Sequence, residues 1–141
     1  MSNESASSPA AGTGRHWSWS IDGDGVAWLC IDRQGASTNT LGREVMEQLH
    51  EALAALGRER PKGVVVWSAK TNGFVAGADI TEFTGLRTPE QGYELIRGGQ
   101  RVLDELEALP CPSVAAIHGF ALGGGLELAL ACTYRVAAND G

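Results

Sequence analysis

Gly123-Gly124-Gly125-Leu126-Glu127-Leu128-Ala129-Leu130-Ala131 is the stretch on which the fold reading turns. Three glycines open an apolar helical run, and one carboxylate stands in its first turn. A helix start leaves backbone N–H groups without intrahelical partners and carries partial positive charge. Glycine lets a ligand oxygen come close to that backbone. An oxygen that gains negative charge during a reaction would be stabilised there, beside a proton-transfer group. Tight packing of helix on strand also accounts for such glycines, and Glu127 also suits the helix dipole.

The elements on either side of this run have an alternating order. Trp17–Ile21 and Val26–Ile31 read as strands joined at Asp22-Gly23-Asp24-Gly25, a strong hairpin signal. Leu41, Val45, Leu49, Leu53 and Leu56 recur at helical spacing, with Thr40 as N-cap and Gly57 and Pro61 as stops. Val64–Trp67 is a continuous apolar run suited to a strand buried on both faces. Gly73–Ile80 reads as a loop of small residues. Thr88-Pro89-Glu90-Gln91 is a capping box that starts a second helix, which Pro110 and Pro112 end. Ser113–Ile117 is a strand leading into the glycine run, and Tyr134–Ala137 begins another.

Strands alternating with helices predict an α/β architecture around a largely parallel sheet. Ligands collect beyond the carboxyl ends of such strands. The loops Phe74–Asp79 and Phe120–Gly125 both follow strands, so both belong at one sheet edge. One backbone N–H from each makes an oxyanion hole, and Ala78 and Gly124 are the donors that geometry favours. Glu127 is then the proton-transfer group. Asp79 reads either as a turn cap or as a substrate contact. His118 reads as a hydrogen-bonded packing residue, and no catalytic role is assigned to it.

Bulk composition narrows the classes. The 141 residues suffice for one domain, and 43% hydrophobic with 20% charged residues is ordinary for a globular chain. A formal charge of −6 argues against general nucleic-acid binding. Cys30, Cys111 and Cys132 form no CxxC pair, so neither a metal site nor a disulfide framework is expected, and a reducing cytoplasm fits. No apolar run reaches the roughly 18 residues of a membrane span. Residues 1–15 read as a disordered tail, and residues 16–141 as the folded part.

Phe74-Val75-Ala76-Gly77-Ala78-Asp79-Ile80 and Ala115-Ala116-Ile117-His118-Gly119-Phe120-Ala121-Leu122-Gly123-Gly124-Gly125-Leu126-Glu127, in this order, resemble the crotonase, or enoyl-CoA hydratase/isomerase, superfamily. Ile31-Asp32, Asn39-Thr40-Leu41, Lys62–Val66 and Tyr134-Arg135-Val136-Ala137 look like the N-terminal hydratase module of multifunctional fatty-acid oxidation enzymes. The resemblance runs from about Trp19 to Gly141. It implies a layered β-β-α spiral fold, of which residues 16–141 are the N-terminal part. The implied substrate is an acyl-CoA thioester held by the amides of Ala78 and Gly124. Water then adds to a trans-2-enoyl-CoA under two glutamates. Glu127 matches the first, and the second would fall beyond Gly141, so the segment alone is expected to be inactive.

Ala76, Asp79, Ile80 and Gly123 match positions grouped with the substrate, and Arg33 is a candidate for a CoA phosphate. No metal or cofactor is implied for hydration, because CoA belongs to the substrate. NAD is implied only for a dehydrogenase part outside this chain. The resemblance further implies a homo-oligomer or a thiolase-containing complex. An enoyl-CoA isomerase and a non-catalytic acyl-CoA-binding module remain the alternatives.

Overall fold

A computed structural model of the chain describes residues 10–139. The DGDG turn folds as expected: Asp22 Oδ1 accepts from the amides of Asp24 and Val26, which closes β2 (Trp17–Ile21) onto β3 (Val26–Ile31) in antiparallel register. From β3 the sheet continues in parallel through β4 (Gly63–Ser68), β6 (Ser113–Ile117) and β8 (Tyr134–Ala137). The sheet therefore mixes an antiparallel hairpin with a parallel body, a mixed α/β arrangement.

The first edge strand corrects the expected tail. Ala11–Thr13 is β1, paired antiparallel with β2 through Ala11↔Ser20 and Thr13↔Ser18. Ladder hydrogen bonds and the stacking of Gly12 on the Trp19 indole give a Ser/Ala/Gly-rich segment a partner that composition does not reveal. Residues 1–9 of the expected tail lie outside the described residues.

The helices cover one face of this sheet. α1 (Arg43–Glu59) buries Val45, Met46, Leu49, Leu53 and Leu56, and it packs on β2 and on α2 (Pro89–Glu107). Thr40 is not its cap. Gly42 takes the N-cap position without a side-chain bond, because Asn39 and Leu41, on either side of Thr40, are drawn into backbone pairing with a distant loop. The helix passes through Gly57 and ends where Arg60 turns left-handed before Pro61. α2 starts with the expected capping box: Thr88 Oγ1 accepts from Gln91 N, and Gln91 Oε1 accepts from Thr88 N.

β4 is not buried on both faces. Val64, Val66 and Ser68 point into the core, whereas Trp67 is 37% exposed. Among the described residues, α1 and α2 lie on the inner face only. The outer face presents Trp28, Trp67, Tyr134 and Val136 to solvent.

A second, two-stranded sheet replaces part of the expected small-residue loop. β5 (Gly73–Val75) pairs in parallel with β7 (Phe120–Ala121), and α3 (Gly124–Ala131) follows directly. α3 packs on β5 at very short range: a Cβ placed on Gly125 would stand 2.2 Å from the Val75 carbonyl oxygen. Only glycine permits that approach. Gly123, just before the helix, has φ +50°, a backbone conformation that side-chain-bearing residues rarely adopt.

Two glycine substitutions should therefore act in opposite directions in urea unfolding. Gly125→Ala is expected to destabilise the chain by about 1–3 kcal/mol, as overpacking does. Gly57→Ala, in α1 with open space around it, is expected to stabilise it by roughly 0.5–1 kcal/mol.

Candidate functional site

Three backbone hydrogen bonds set the first loop. Ala76 N donates to Asn39 O, Leu41 N to Gly77 O and Asp79 N to Leu41 O, so residues 39–41 run alongside residues 76–79 as a short parallel ladder. Successive amides alternate in direction along an extended strand. With Gly77 O and Asp79 N turned toward Leu41, the Ala78 N–H points the other way. Among the described residues it has no protein acceptor.

The second loop ends at the first residue of α3. Gly125 N donates to Leu122 O and Glu127 N to Gly123 O, while Gly124 N has no acceptor among the described residues. The two free amides lie side by side. A Cβ built on Gly124 would be 3.6 Å from Ala78 N, and one built on Gly77 would be 3.9 Å from Gly124 N. Two N–H donors aimed at one space are what a developing oxyanion requires.

That space is a cavity of about 150 Å³ whose walls include Ala78, Gly124 and Glu127. The three residues singled out for chemistry thus meet at one place. Glu127 lies one turn into α3, and its side chain is exposed. The remaining wall is mostly apolar, with Leu41, Met46, Phe83, Leu95 and Leu103 among its residues and Gln100 as a polar member. None of these was assigned a role at the site from the sequence. Leu41 comes from the 39–41 ladder and the others from α1, α2 and the 3-10 segment Ile80–Gly85, and periodicity marks the apolar ones only as core. A wider concavity of about 760 Å³ opens elsewhere, among Arg43, Glu82, Glu90 and Glu94, so volume alone does not locate the site.

The other predicted contacts fall outside this cavity's walls. Asp79 is a cap and an ion-pair partner rather than a free ligand. Its Oδ1 accepts from Thr81 N and Thr81 Oγ1, and its Oδ2 meets Arg33 Nη2 at 2.8 Å. Arg33 is likewise committed, to Asp79 and to the Thr40 hydroxyl, and is not a free phosphate ligand. The pair ties the segment after β3 to the loop that carries Ala78. Ile80 is 76% exposed beside that loop. Ala76 and Gly123 contribute backbone bonds, Ala76 N to Asn39 and Gly123 O from Glu127 N.

Buried polar groups brace the loops from behind. Asn39 is 1% exposed; its Nδ2 donates to Ser68 Oγ and Phe74 O, and its Oδ1 accepts from Arg33 N. Ser68 Oγ in turn donates to Gly73 O. Lys70 Nζ donates to the carbonyls of Arg33 and Ala36 and pairs with Asp32 at 2.7 Å. His118 Nε2 donates to Lys70 O, the packing role expected of it. Burial pushes the thiol of Cys132, the C-cap residue of α3, up to about 11, so it stays protonated and is no nucleophile near neutral pH.

Comparison with known proteins places this geometry in context. The sequence pattern described as enoyl-CoA hydratase/isomerase matches residues 22–141. The chain is 46% identical over 119 residues to a fatty acid oxidation complex subunit alpha of Shewanella oneidensis, covering 84% of this chain and 17% of that protein. A protein of the same description from Aliivibrio fischeri is 40% identical over 126 residues, covering 88% and 18%. The crystal structure of an enoyl-CoA hydratase/carnithine racemase from Magnetospirillum magneticum superposes with a TM-score of 0.83 at 32% identity, over 93% of this chain and 49% of that one. An enoyl-CoA hydratase from Bacillus anthracis gives a TM-score of 0.78, also at 32% identity, over 86% and 47%. The chain thus spans under a fifth of the curated relatives and about half of the solved structures.

The Asp79 environment predicts an acid response. Its carboxyl is held below the usual range, first by the Thr81 hydroxyl and further by Arg33 and the Thr81 amide, against an opposing effect of burial. Its stabilising contribution is complete above about pH 4, the unfolded carboxyl value, and is lost as pH falls through the lowered folded value. Asp79→Asn should therefore flatten the fall of stability below pH 4, measured by urea unfolding at stepped pH.

Proposed function

The chain belongs to the enoyl-CoA hydratase/isomerase family, and on that premise we propose that this segment binds the thioester of a trans-2-enoyl-CoA and serves its hydration to 3-hydroxyacyl-CoA. The supporting observation is the pair of unpaired amides, Ala78 and Gly124, on one cavity wall with Glu127.

The thioester oxygen sits between the two N–H groups, which draw electron density toward it and leave C3 electrophilic. A water oxygen bonds to C3 while the Glu127 carboxylate accepts one of its protons. The C2=C3 electron pair moves toward C2 and the thioester oxygen, and the resulting enolate charge falls on the two amides. A second acid delivers a proton to C2, which restores the thioester, and Glu127 gives up to solvent the proton it took, so that the elements of water have been added.

Glu127 is the one carboxylate on this cavity's wall among the described residues. The family pattern divides water activation and C2 protonation between two glutamates, so these 141 residues alone are proposed to bind substrate but to be inactive as a hydratase. Crotonyl-CoA hydration by the chain at the rate of an intact family member would contradict that. A purely binding module would have no use for a carboxylate at position 127.

Two substitutions test the roles separately. In a longer polypeptide that carries this segment and hydrates crotonyl-CoA, Glu127→Gln should lower kcat by about 10²–10⁴-fold. Gly124 is the first helical residue of α3, a position that tolerates proline. Gly124→Pro removes its N–H and should lower kcat by roughly 10²–10³-fold, the loss seen when one oxyanion donor is removed. Full activity in either variant refutes the corresponding assignment.

A further inference from the structure

α1 starts without a cap of its own. Its N-cap is Gly42, and the acidic residue of its first turn, Glu44, is turned to His16 and Arg15. The acceptor comes from another element: both carboxylate oxygens of Glu82 lie 2.9 Å from Arg43 N and accept its N–H. A Cβ built on Gly42 would stand 2.7 Å from Glu82 Oε2, so glycine there leaves room for the incoming carboxylate. The positive end of the helix dipole favours the same charge.

This bond takes the place of a missing rung in the backbone. Leu41 N donates to Gly77 O and Leu41 O accepts from Asp79 N, as in a parallel ladder centred on Ala78. The next rung of such a ladder would run from Arg43 N to Asp79 O. Asp79 O instead accepts from Glu82 N, where the 3-10 segment Ile80–Gly85 begins. Glu82 thus occupies the main-chain acceptor with its amide and supplies a substitute with its carboxylate. The ladder that turns the Ala78 N–H into the cavity is closed at this end by one side chain.

Little else fastens the segment. It buries no residue, and Glu82 is half-buried between the exposed Thr81 and Phe83. Its other hydrogen bonds among the described residues, such as Thr81 to Asp79, Thr84 to Thr81 and Leu86 N to Phe83 O, stay within residues 79–86. Yet Phe83 and, from α1, Met46 both belong to the wall of the oxyanion cavity. Glu82 is not on that wall, but it joins the two elements that bring these residues there.

We propose that Glu82 is a positioning residue for the oxyanion donor at Ala78: its clasp on the start of α1 keeps the Ala78 N–H aimed at the thioester oxygen. This rests on the thioester reading above and adds to it a residue that acts from outside the cavity. Gly124 is set separately, by the packing of α3 on β5, so loss of the clasp disturbs one donor and spares the other.

The test compares the unsubstituted chain with Glu82→Ala and with the double variant Gly42→Ser/Glu82→Ala. Once the carboxylate is gone, serine fits at position 42, where the backbone is extended, and gives α1 a cap of its own without restoring the tie to the segment. Glu82→Ala should melt at a lower temperature, and the double variant should recover it. With acetoacetyl-CoA, ¹H–¹⁵N spectra of both variants should lose most of the Ala78 downfield shift and keep that of Gly124. Affinity should fall roughly two- to ten-fold, the net contribution of about one hydrogen bond. A double variant that recovers both its melting temperature and the Ala78 shift overturns the proposal, because Glu82 is then only a helix cap. Unchanged shifts in Glu82→Ala, or loss of both shifts in the double variant, overturn it as well. All three outcomes leave the thioester reading standing. If acetoacetyl-CoA moves neither amide of the unsubstituted chain, that reading falls and the proposal falls with it.

Discussion

The close packing of the start of α3 on β5 is the constraint from which the site follows. With no Cβ at Gly125, the helix backbone settles against the Val75 carbonyl, which also accepts a hydrogen bond from Leu122 N. That contact fixes where the first turn of α3 begins and therefore where the Gly124 N–H lies. The same strand, β5, runs into the loop that carries Ala78. One short strand thus locates both amides, and small residues at 77, 78, 123 and 124 keep the space between them open.

The positions of these groups are held by elements that take no part in the chemistry. The ladder between residues 39–41 and 76–79 turns Ala78 N–H away from its neighbours' partners. Asn39, buried and fully bonded, joins that ladder to Ser68 at the end of β4 and to Phe74 in β5. Arg33 and Asp79 fasten the far side of the loop. A buried polar network of this kind is costly when partly satisfied and rigid when complete. No buried side-chain nitrogen or oxygen among the described residues lacks a partner. Rigidity suits the proposed role, because preorganised dipoles stabilise a transition state without reorganising.

Much of this was legible in the residues because the signals were local. The Asp22–Gly25 turn, the Thr88–Gln91 capping box and the glycine-opened α3 each state their geometry within four or five positions. The convergence of Ala78, Gly124 and Glu127 was readable because strand–loop–helix order brings such loops to one edge. What escaped depends on partners far along the chain. Thr40 looked like a cap, but Leu41 is recruited by a loop more than thirty residues away. β5 and β7, at three and two residues, are too short to show a period and exist through mutual pairing. Asp79 and Arg33 each looked available to a ligand, yet they neutralise one another across 46 positions. The β1 strand has no apolar pattern and depends on the edge of β2.

The most direct test of the account observes the two amides themselves. In ¹H–¹⁵N correlation spectra of the chain, acetoacetyl-CoA should move the Ala78 and Gly124 amide protons downfield together, as new hydrogen bonds to one oxygen require. CoA without the acyl group should leave both in place. If acetoacetyl-CoA binds and neither amide moves, or if only one does, the two N–H groups do not share a thioester oxygen and the account fails.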